Sequence, residues 1–485
     1  MNNTTPFFAG FHRVLFGRSQ PSGLRQLQAR MDALRQNSLC QLANLCEPWT
    51  PIKLLNPTTR GLNSRRRSYP MSVTFWAFLA QVMSPGSPCR EIVRKVQAWH
   101  ATRKLPIPSS STGAYCQARS RLPIESLRRI QSHTATELQR GIRSDQLWLG
   151  RHVKVVDGTG VSMPDTPENQ EIWPQSSNQT KGCGFPVAKL VGCFCLSSGA
   201  LLDLGEGNQH IHESQLFRRQ FGLFNQGDVV LTDRGFCSYS SIAELLALGV
   251  DTVMRIHHKR PIDFRKGKGL GPKDRLVTWT KPRCRPRGIS KHLWDAIPKS
   301  LTLRMLHIQI EVPGFRTESI VVVTTLTDPI LYPAEELAKL YFRRWSVELF
   351  FRDIKITLGM DVLRCRTPEM VRKEIALHVI AYNLLRGLMQ QAAALYEVDL
   401  SRISFKGSVD ALRQWTDMFN ASHSKPKEQR RLFDHLLKII AEDAVPYRPE
   451  RSEPRVRKRR PKNYRLMTRP RHQNTPGESS KNVLI

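Results

Sequence analysis

Apolar positions change their period several times along this chain, and each change marks a different kind of element. Up to about residue 145 the period is helical: after Arg65, Arg66 and Arg67 comes SVTFWAFLAQVM, then the breaker SPGSP, then CREIVRKVQAWH. Two amphipathic runs around a Pro/Gly turn are compatible with a helix-turn-helix-like unit whose second run carries Arg90, Arg94 and Lys95. SSSTGAYCQARSRLP then supplies Ser and Thr caps for a basic helix that stops before Pro123. From about 146 alternation takes over. HVKVVDGTGVSM is a strand with Asp157 at its middle, FPVAKLVGCFCLSSGALLDLGEG is two strands joined at Ser197 to Ala200, and DVVLTDRGF is a buried strand ending at Asp233. Helices are expected from about Glu213 to Phe224 and over SIAELLALG, followed by the strand VDTVMRIHH. Three strands, helix, strand, helix, strand is the order of an RNase H-like sheet, which sets the ends of its first and fourth strands side by side.

The segment 258–331 exceeds what such a sheet needs. It opens with the basic, Gly-rich FRKGKGLGPKDR and continues through LVTWT, LTLRMLHIQIEV and SIVVVTTL, so a β-rich insertion is expected. Its Trp279 and Trp294 lie in a basic neighbourhood, where a large aromatic either stacks on an unpaired base or belongs to the core. The helical period returns over 332–395. Pro333 falls near a first turn, with Glu335 and Glu336 close to the positive end of the helix dipole. In the YFRRWSVELFFRDIK that follows, Tyr341, Arg344, Glu348 and Lys355 fall within an arc of roughly 60° at the ideal helical turn. Val347, Phe350 and Ile354 form a stripe roughly opposite, and Trp345, Leu349 and Ile356 flank the polar face, which leaves little of this helix suited to open water. In the next helix Glu374 and His378 stand at i and i+4 with Asn383 beyond; without a third ligand the pair reads as a helical hydrogen bond.

Composition narrows the functional classes. The 485 residues suggest two to four domains: a helical region 1–145, an α/β core split into 146–257 and 332–395 around the 258–331 insertion, a helical region 396–445 and a tail 446–485. With 74 Lys and Arg against 41 Asp and Glu the formal charge is +33, which favours a polyanionic partner, nucleic acid ahead of an anionic membrane surface. The tail is Pro-rich and densely basic, as expected of a disordered arm along a DNA backbone. No apolar run approaches the length that spans a bilayer and the N-terminus lacks a signal-peptide pattern, so a soluble, cytoplasmic, nucleoid-associated protein is expected. The ten cysteines contain no C-x-x-C pair. Cys40 and Cys46 could flank a helical turn or two, Cys193 and Cys195 alternate in an apolar strand, and free or structural thiols are expected rather than zinc.

Alone, D-G-T is an ordinary turn, the Asp of D-R-G-F an ordinary strand terminus, and an Arg four residues before a Glu an ordinary helical pair. Asp157, Asp233 and Glu348 together, on adjacent strands and a buried helix, can converge. Three carboxylates packed together repel one another without cations, and their natural partners are hard divalent metals. The spacing Y-x-x-R-x-x-x-E-x-x-x-x-x-x-K from Tyr341 to Lys355 resembles the signature of the DDE transposases of bacterial insertion sequences, specifically insertion-sequence family four. The SSSTGAY region and the β-rich insertion resemble the same group, and the likeness covers roughly 110–395.

That resemblance implies a transposase that binds its element's terminal inverted repeats and moves them into target DNA by metal-dependent cleavage and strand transfer of the cut-and-paste type. It implies double-stranded DNA as partner, a homodimer in the DNA complex, and two Mg2+ or Mn2+ ions, with Asp157 shared between them and Asp233 and Glu348 ligating one each. It also implies that Arg344 and Lys355 hold DNA phosphates with help from the Tyr341 hydroxyl. Arg364 and Arg366, in the turn before the next helix, are further phosphate candidates. Two other classes stay open from the residues alone: a non-catalytic DNA-binding protein descended from such an element, and a metal-dependent nuclease on the same fold that cuts without joining.

Overall fold

The computed structural model describes residues 49, 51–55, 68–102, 105–310, 319–421, 426–446, 467–470 and 473; Cys40, Cys46, Arg65, Arg66, Arg67 and most of the basic tail lie outside the described residues. The N-terminal helices are α1 (Met71–Met83), α2 (Cys89–Thr102), α3 (Gly113–Arg121) and α4 (Ile124–Arg140). Helix α1 is core: Phe75, Trp76 and Ala77 are fully buried. Helix α2 has two characters. Ile92, Val93 and Val96 are buried against the core while Arg90, Arg94 and Lys95 face solvent.

A nine-stranded sheet follows, in the order β3-β2-β1-β4-β5-β9-β8-β7-β6. Its first half is β1 (Val153–Ser162), β2 (Val187–Cys195), β3 (Leu201–Gly207), β4 (Val229–Thr232) and β5 (Asp251–Arg255). Strands β1, β2 and β3 pair antiparallel, and β4 lies parallel to both β1 and β5. The short helices α5 (Pro167–Ile172), α6 (Glu213–Arg219) and α7 (Tyr239–Ala247) make the connections. This is the RNase H-like arrangement, a mixed α/β fold with an N-terminal helical part.

The segment 258–331 does not fold apart from the core sheet. Its strands β6 (Lys268–Gly271), β7 (Asp274–Thr280), β8 (Ser300–Gln309) and β9 (Ser319–Thr324) extend the same sheet, with β9 pairing antiparallel to β5 and helix α8 (Lys291–Ala296) between β7 and β8. Trp279 and Trp294 are each only 8% exposed. Arg260 lies over the Trp279 ring at 3.6 Å and Lys281 over Trp294 at 4.8 Å. Both are therefore core residues capped by cations, the second of the two readings that the sequence left open.

The signature stretch is not one uniform helix. Helix α9 (Ala334–Phe342) runs through a 3-10 turn (Arg343–Trp345) into α10 (Ser346–Arg352) and then a π-helical turn (Asp353–Thr357). Val347, Phe350 and Ile354 are buried as their stripe requires, but Leu349 is 50% and Ile356 65% exposed, so one side of this helix does meet solvent. What seats α10 on the sheet is a missing side chain. Gly192 of β2 pairs with Asp157 of β1, and a Cβ there would come within 2.9 Å of the Phe351 ring and 2.8 Å of Phe194.

Behind the sheet runs α11 (Pro368–Leu395), followed by α12 (Phe405–Ala421) and α13 (Pro426–Glu442). Polar residues buried on α11 clamp the β2–β3 turn. The Asn383 Nδ2 donates to the Leu201 carbonyl at 2.8 Å while its Oδ1 accepts the Leu201 N–H at 2.9 Å. The Tyr382 hydroxyl donates to Gly199 O, and the Arg386 Nε and Nη2 both donate to Ser198 O. Gly199 sits at φ 69°, and a Cβ there would collide with the Arg386 guanidinium. Among the described residues all eight cysteines are free, and no helix is long and apolar enough to cross a membrane.

Gly192→Ala is expected to push the Phe351 ring and α10 away from β1, costing about 1–3 kcal/mol of overpacking. Activity should fall further than that loss of stability explains, because Glu348 rides on the displaced helix. Melting temperature and single-turnover cleavage on the same preparation check it, and an unchanged cleavage rate would show that α10 tolerates the shift.

Candidate active site

Parallel pairing places the first two carboxylates. Val156 lies opposite Thr232 in the β1–β4 register, so the next residue on each strand is an aspartate, Asp157 and Asp233. Gly158 follows Asp157 and donates its N–H to Asp157 Oδ1 at 2.8 Å. The Glu213 carboxylate packs closely over Gly158, where a Cβ would lie 2.7 Å from it and displace the Glu213 side chain.

Glu348 arrives from α10, and Arg344 ties it to the strand. The Arg344 Nη1 stands 3.4 Å from Asp157 Oδ2 and its Nη2 3.8 Å from Glu348 Oε1. The guanidinium is also 5.2 Å above the Trp345 ring. Asp233 has only a long contact, 4.0 Å, to Arg255, and its Oδ1 is buried without a hydrogen-bond partner. Burial pushes the Asp157 carboxyl up to about 6; the Gly158 N–H and Arg344 pull it down, and Asp233 and Glu348 push it up again. The three carboxylates therefore share one electrostatic neighbourhood.

The other signature residues lie deeper than the shared polar face expected of them. Tyr341 is 1% exposed, and its hydroxyl donates to the Thr232 carbonyl at 3.3 Å, the last residue of β4. From there it anchors the backbone from which Asp233 projects. Arg344 is 6% exposed and stands between two carboxylates. The four residues do not present one surface: Tyr341 and Arg344 are buried, Lys355 is partly buried and Glu348 has a 61% exposed side chain. Lys355 stands at the lip, 3.2 Å from Thr159 Oγ1 and 3.0 Å from Asp361. Arg364 and Arg366 are both exposed. Their turn is held by Glu374, whose carboxylate accepts the Arg364 and Cys365 backbone N–H groups, so it does not serve as the partner of His378. His378 is buried, and desolvation together with Arg364 depresses it to about 3, leaving it neutral.

Sequence reasoning missed Asp353, buried in the π-helical turn and pushed up to about 6 by burial, with Arg352 and Arg386 opposing. A carboxylate beside Phe350, Phe351 and Ile354, on the apolar side of the helix, was the available signal. It missed Glu213 as well, because a Glu at a helix start reads as a dipole residue.

The donor set suits a hard divalent cation: three carboxylates, one with an orphaned buried oxygen and one whose proton affinity is raised by its surroundings. Among the described residues no three such side chains are closed around a common point; Arg344 supplies the positive charge between two of them.

The family model described as Transposase DDE domain matches residues 148–384, and that described as Insertion element 4 transposase N-terminal matches 36–131. The chain belongs to the DDE transposases of the insertion-element-4 family. It is 26% identical over 443 residues to the transposase InsG for insertion sequence element IS4 of Escherichia coli (strain K12), covering 90% of this chain and 96% of that one. The putative transposase y4zB of Sinorhizobium fredii is 26% identical over 68% of this chain and 83% of its own. A solved piggyBac transposase synaptic complex with hairpin DNA aligns over 82% of both chains at TM-score 0.41 and 10% identity, too low to support anything further. As a DDE transposase the protein is a DNA-binding enzyme, and the family uses divalent metal ions.

The raised Asp157 carboxyl makes a stability prediction for this transposase. Because its proton is held more tightly in the folded chain than in the unfolded one, folding stability falls as pH rises from about 4 to about 6. Asp157→Asn removes that charge. Without divalent cation the variant should melt above wild type at neutral pH, the difference closing toward pH of about 4; a variant less stable at neutral pH would mean the Arg344 attraction outweighs burial and repulsion.

Proposed function

We propose that this transposase binds the terminal inverted repeats of its element, cuts the DNA there and joins the ends to a target duplex, with Asp157, Asp233 and Glu348 as its catalytic carboxylates. The observation that supports this best is Arg344, which joins a strand carboxylate to a helix carboxylate far along the chain, beside an aspartate oxygen that nothing satisfies. Magnesium or manganese held by these carboxylates would supply charge stabilisation and an activated hydroxyl for in-line phosphoryl displacement. Arg344 keeps Asp157 and Glu348 from moving apart under their own repulsion, and Tyr341 fixes the strand end that carries Asp233.

DNA is held around this centre by cations at its rim. Lys355 at the lip, with Arg364 and Arg366 on the clamped turn, binds phosphates near the cut. Arg90, Arg94 and Lys95 on α2 form a separate cationic face suited to recognising the element end. Cut-and-paste chemistry acts on two ends, so the assembly on DNA is a homodimer, working in the bacterial cytoplasm at the nucleoid.

Asp157→Ala, Asp233→Ala and Glu348→Ala should each abolish cleavage of candidate element ends in magnesium or manganese while leaving gel-shift affinity largely intact. Calcium should permit binding without turnover. Retained metal-dependent cleavage in any one variant removes that residue from the triad, and cleavage that survives exhaustive chelation sinks the mechanism.

Two further variants separate an interior brace from a phosphate grip. In Arg344→Lys a point charge replaces a fork that spans two carboxylates, so melting temperature and cleavage should fall together. Lys355→Ala should reduce single-turnover cleavage far more than affinity or melting temperature. Equal loss of all three quantities in Lys355→Ala would reassign it to structure.

A further inference from the structure

On the side of the carboxylates away from Lys355, the sheet ends in a strip of positive charge that the cleavage chemistry leaves unused. Thr232 pairs with Met254, so the chain beyond β4 runs as Asp233 and Arg234 beside Arg255 at the end of β5 and Ile256 and His257 after it. The turn after Asp233 closes with Phe236 N–H donating to Asp233 O at 3.1 Å, which leaves Arg234 and Gly235 exposed. A Cβ at Gly235 would meet nothing within 4 Å, so the space in front of the turn is open. The His257 and His258 rings lie 4.3 Å apart, and Lys259 N–H donates to His257 Nδ1, which fixes the ring beside the backbone. His257 is driven below its ordinary range by burial and then by His258, Lys259, Arg234 and His212, so these groups act on one another across a small area.

Three features set this strip apart from an ordinary solvated face. First, it is unpaired: Arg234, His258 and Lys259 make no ion pair among the described residues, whereas Lys95, Arg128 and Lys339 each have a carboxylate one helical turn away. Second, it lies at the C-terminal ends of the parallel strands β4 and β5, where open α/β sheets bind their ligands. Third, the strand order puts it opposite the other cations. Lys355 touches Thr159, and Val362 bridges Ser162, both on β1 toward β2, whereas the strip is on β4 and β5. One strand spacing for Arg234 and two for the residues after β5, about 5–10 Å, separate it from Asp157. That is the rise of up to about three base pairs.

We propose that Arg234, His257, His258 and Lys259 form a second phosphate-binding strip, holding the DNA backbone within about three base pairs of the cut on the side opposite Lys355. The proposal rests on the reading of Asp157, Asp233 and Glu348 as the cleavage centre. A duplex laid across the sheet end is then gripped on both flanks with its scissile phosphate between them. Lys259 and Arg234 carry full charge and supply most of the attraction. The histidine rings add N–H donors to phosphate oxygens that carry no base identity, so the strip positions DNA without reading sequence.

The test pairs a protein change with a DNA change. Full-length Arg234→Ala/Lys259→Ala is compared with wild type on duplexes in which single linkages around the cut are made neutral as methylphosphonates. Wild type should lose affinity when one to three consecutive linkages on one side of the cut are neutralised, and the double variant should be insensitive at those linkages. Its log affinity against log salt should be shallower by about 0.9 for each phosphate that the strip no longer neutralises, with melting temperature unchanged. Arg234→Lys/Lys259→Arg should restore both. The same interference pattern in wild type and double variant, or an unaltered salt slope, overturns the strip. Glu348→Ala run alongside keeps the two readings distinct: it should show the wild-type interference pattern without cleavage. If it cleaves, the reading of the carboxylates fails, whatever the strip shows.

Discussion

Arg344 is the interaction on which the centre of this transposase depends. A carboxylate on a strand and another on a helix, brought together, repel one another, and the burial of Asp157 raises the cost of ionising it further. A guanidinium between them offsets part of that cost. Its planar fork reaches Asp157 through one nitrogen and Glu348 through the other, a geometry that a lysine cannot copy. The fit is loose, since the two contacts are 3.4 Å and 3.8 Å long and Arg344 Nε has no partner, so the brace holds the carboxylates without saturating them. A fully satisfied ion-pair network would leave no donor capacity for a metal. An incomplete one keeps it.

The frame around this brace is built from polar residues that the apolar pattern hides. Helix α11 is apolar through most of its length, yet the side chains that decide where it sits are Tyr382, Asn383 and Arg386, each spent on a backbone carbonyl or amide of the β2–β3 turn. A buried polar group left unpaired costs more than a mispacked methyl, so these contacts set the register more strictly than the surrounding leucines do. Glu374 does the same for the Arg364 turn. Through β2 this register reaches Gly192, and through Gly192 it reaches Phe351 and α10.

Much of the fold could be read from the chain. Period-two and period-3.6 runs placed β1 to β5 with α6 and α7, because each face of those elements meets a single environment, while the short α5 was not read. The site was legible where spacing carried it: Asp157 and Asp233 follow from strand ends, and Glu348 from its distance to Arg344 and Lys355. What failed was the step from spacing to exposure. An ideal helix puts Tyr341, Arg344, Glu348 and Lys355 on one face, but the 3-10 turn at Arg343–Trp345 and the π turn at Asp353–Thr357 rephase it. Tyr341 and Arg344 turn inward while Glu348 stays out. Backbone irregularity of that kind leaves no mark on hydrophobic periodicity. The tryptophans of the insertion were ambiguous for a different reason, since a basic neighbourhood describes a cation cap as well as a nucleic-acid surface.

The continuity of the sheet bears on how the insertion works. A separate insertion domain could swing, but β9 hydrogen-bonds to β5 over Val253 to Arg255, and β8 and β7 continue the ladder. Swinging would expose backbone groups that the sheet now pairs. The Arg304 guanidinium, 1% exposed, adds a further tie, with two nitrogens on the Asp274 carboxylate and a third on the Tyr332 carbonyl just before α9. Breaking that set would strand a buried charge. The insertion therefore holds the end of β5 in place, and with it Arg255 beside Asp233.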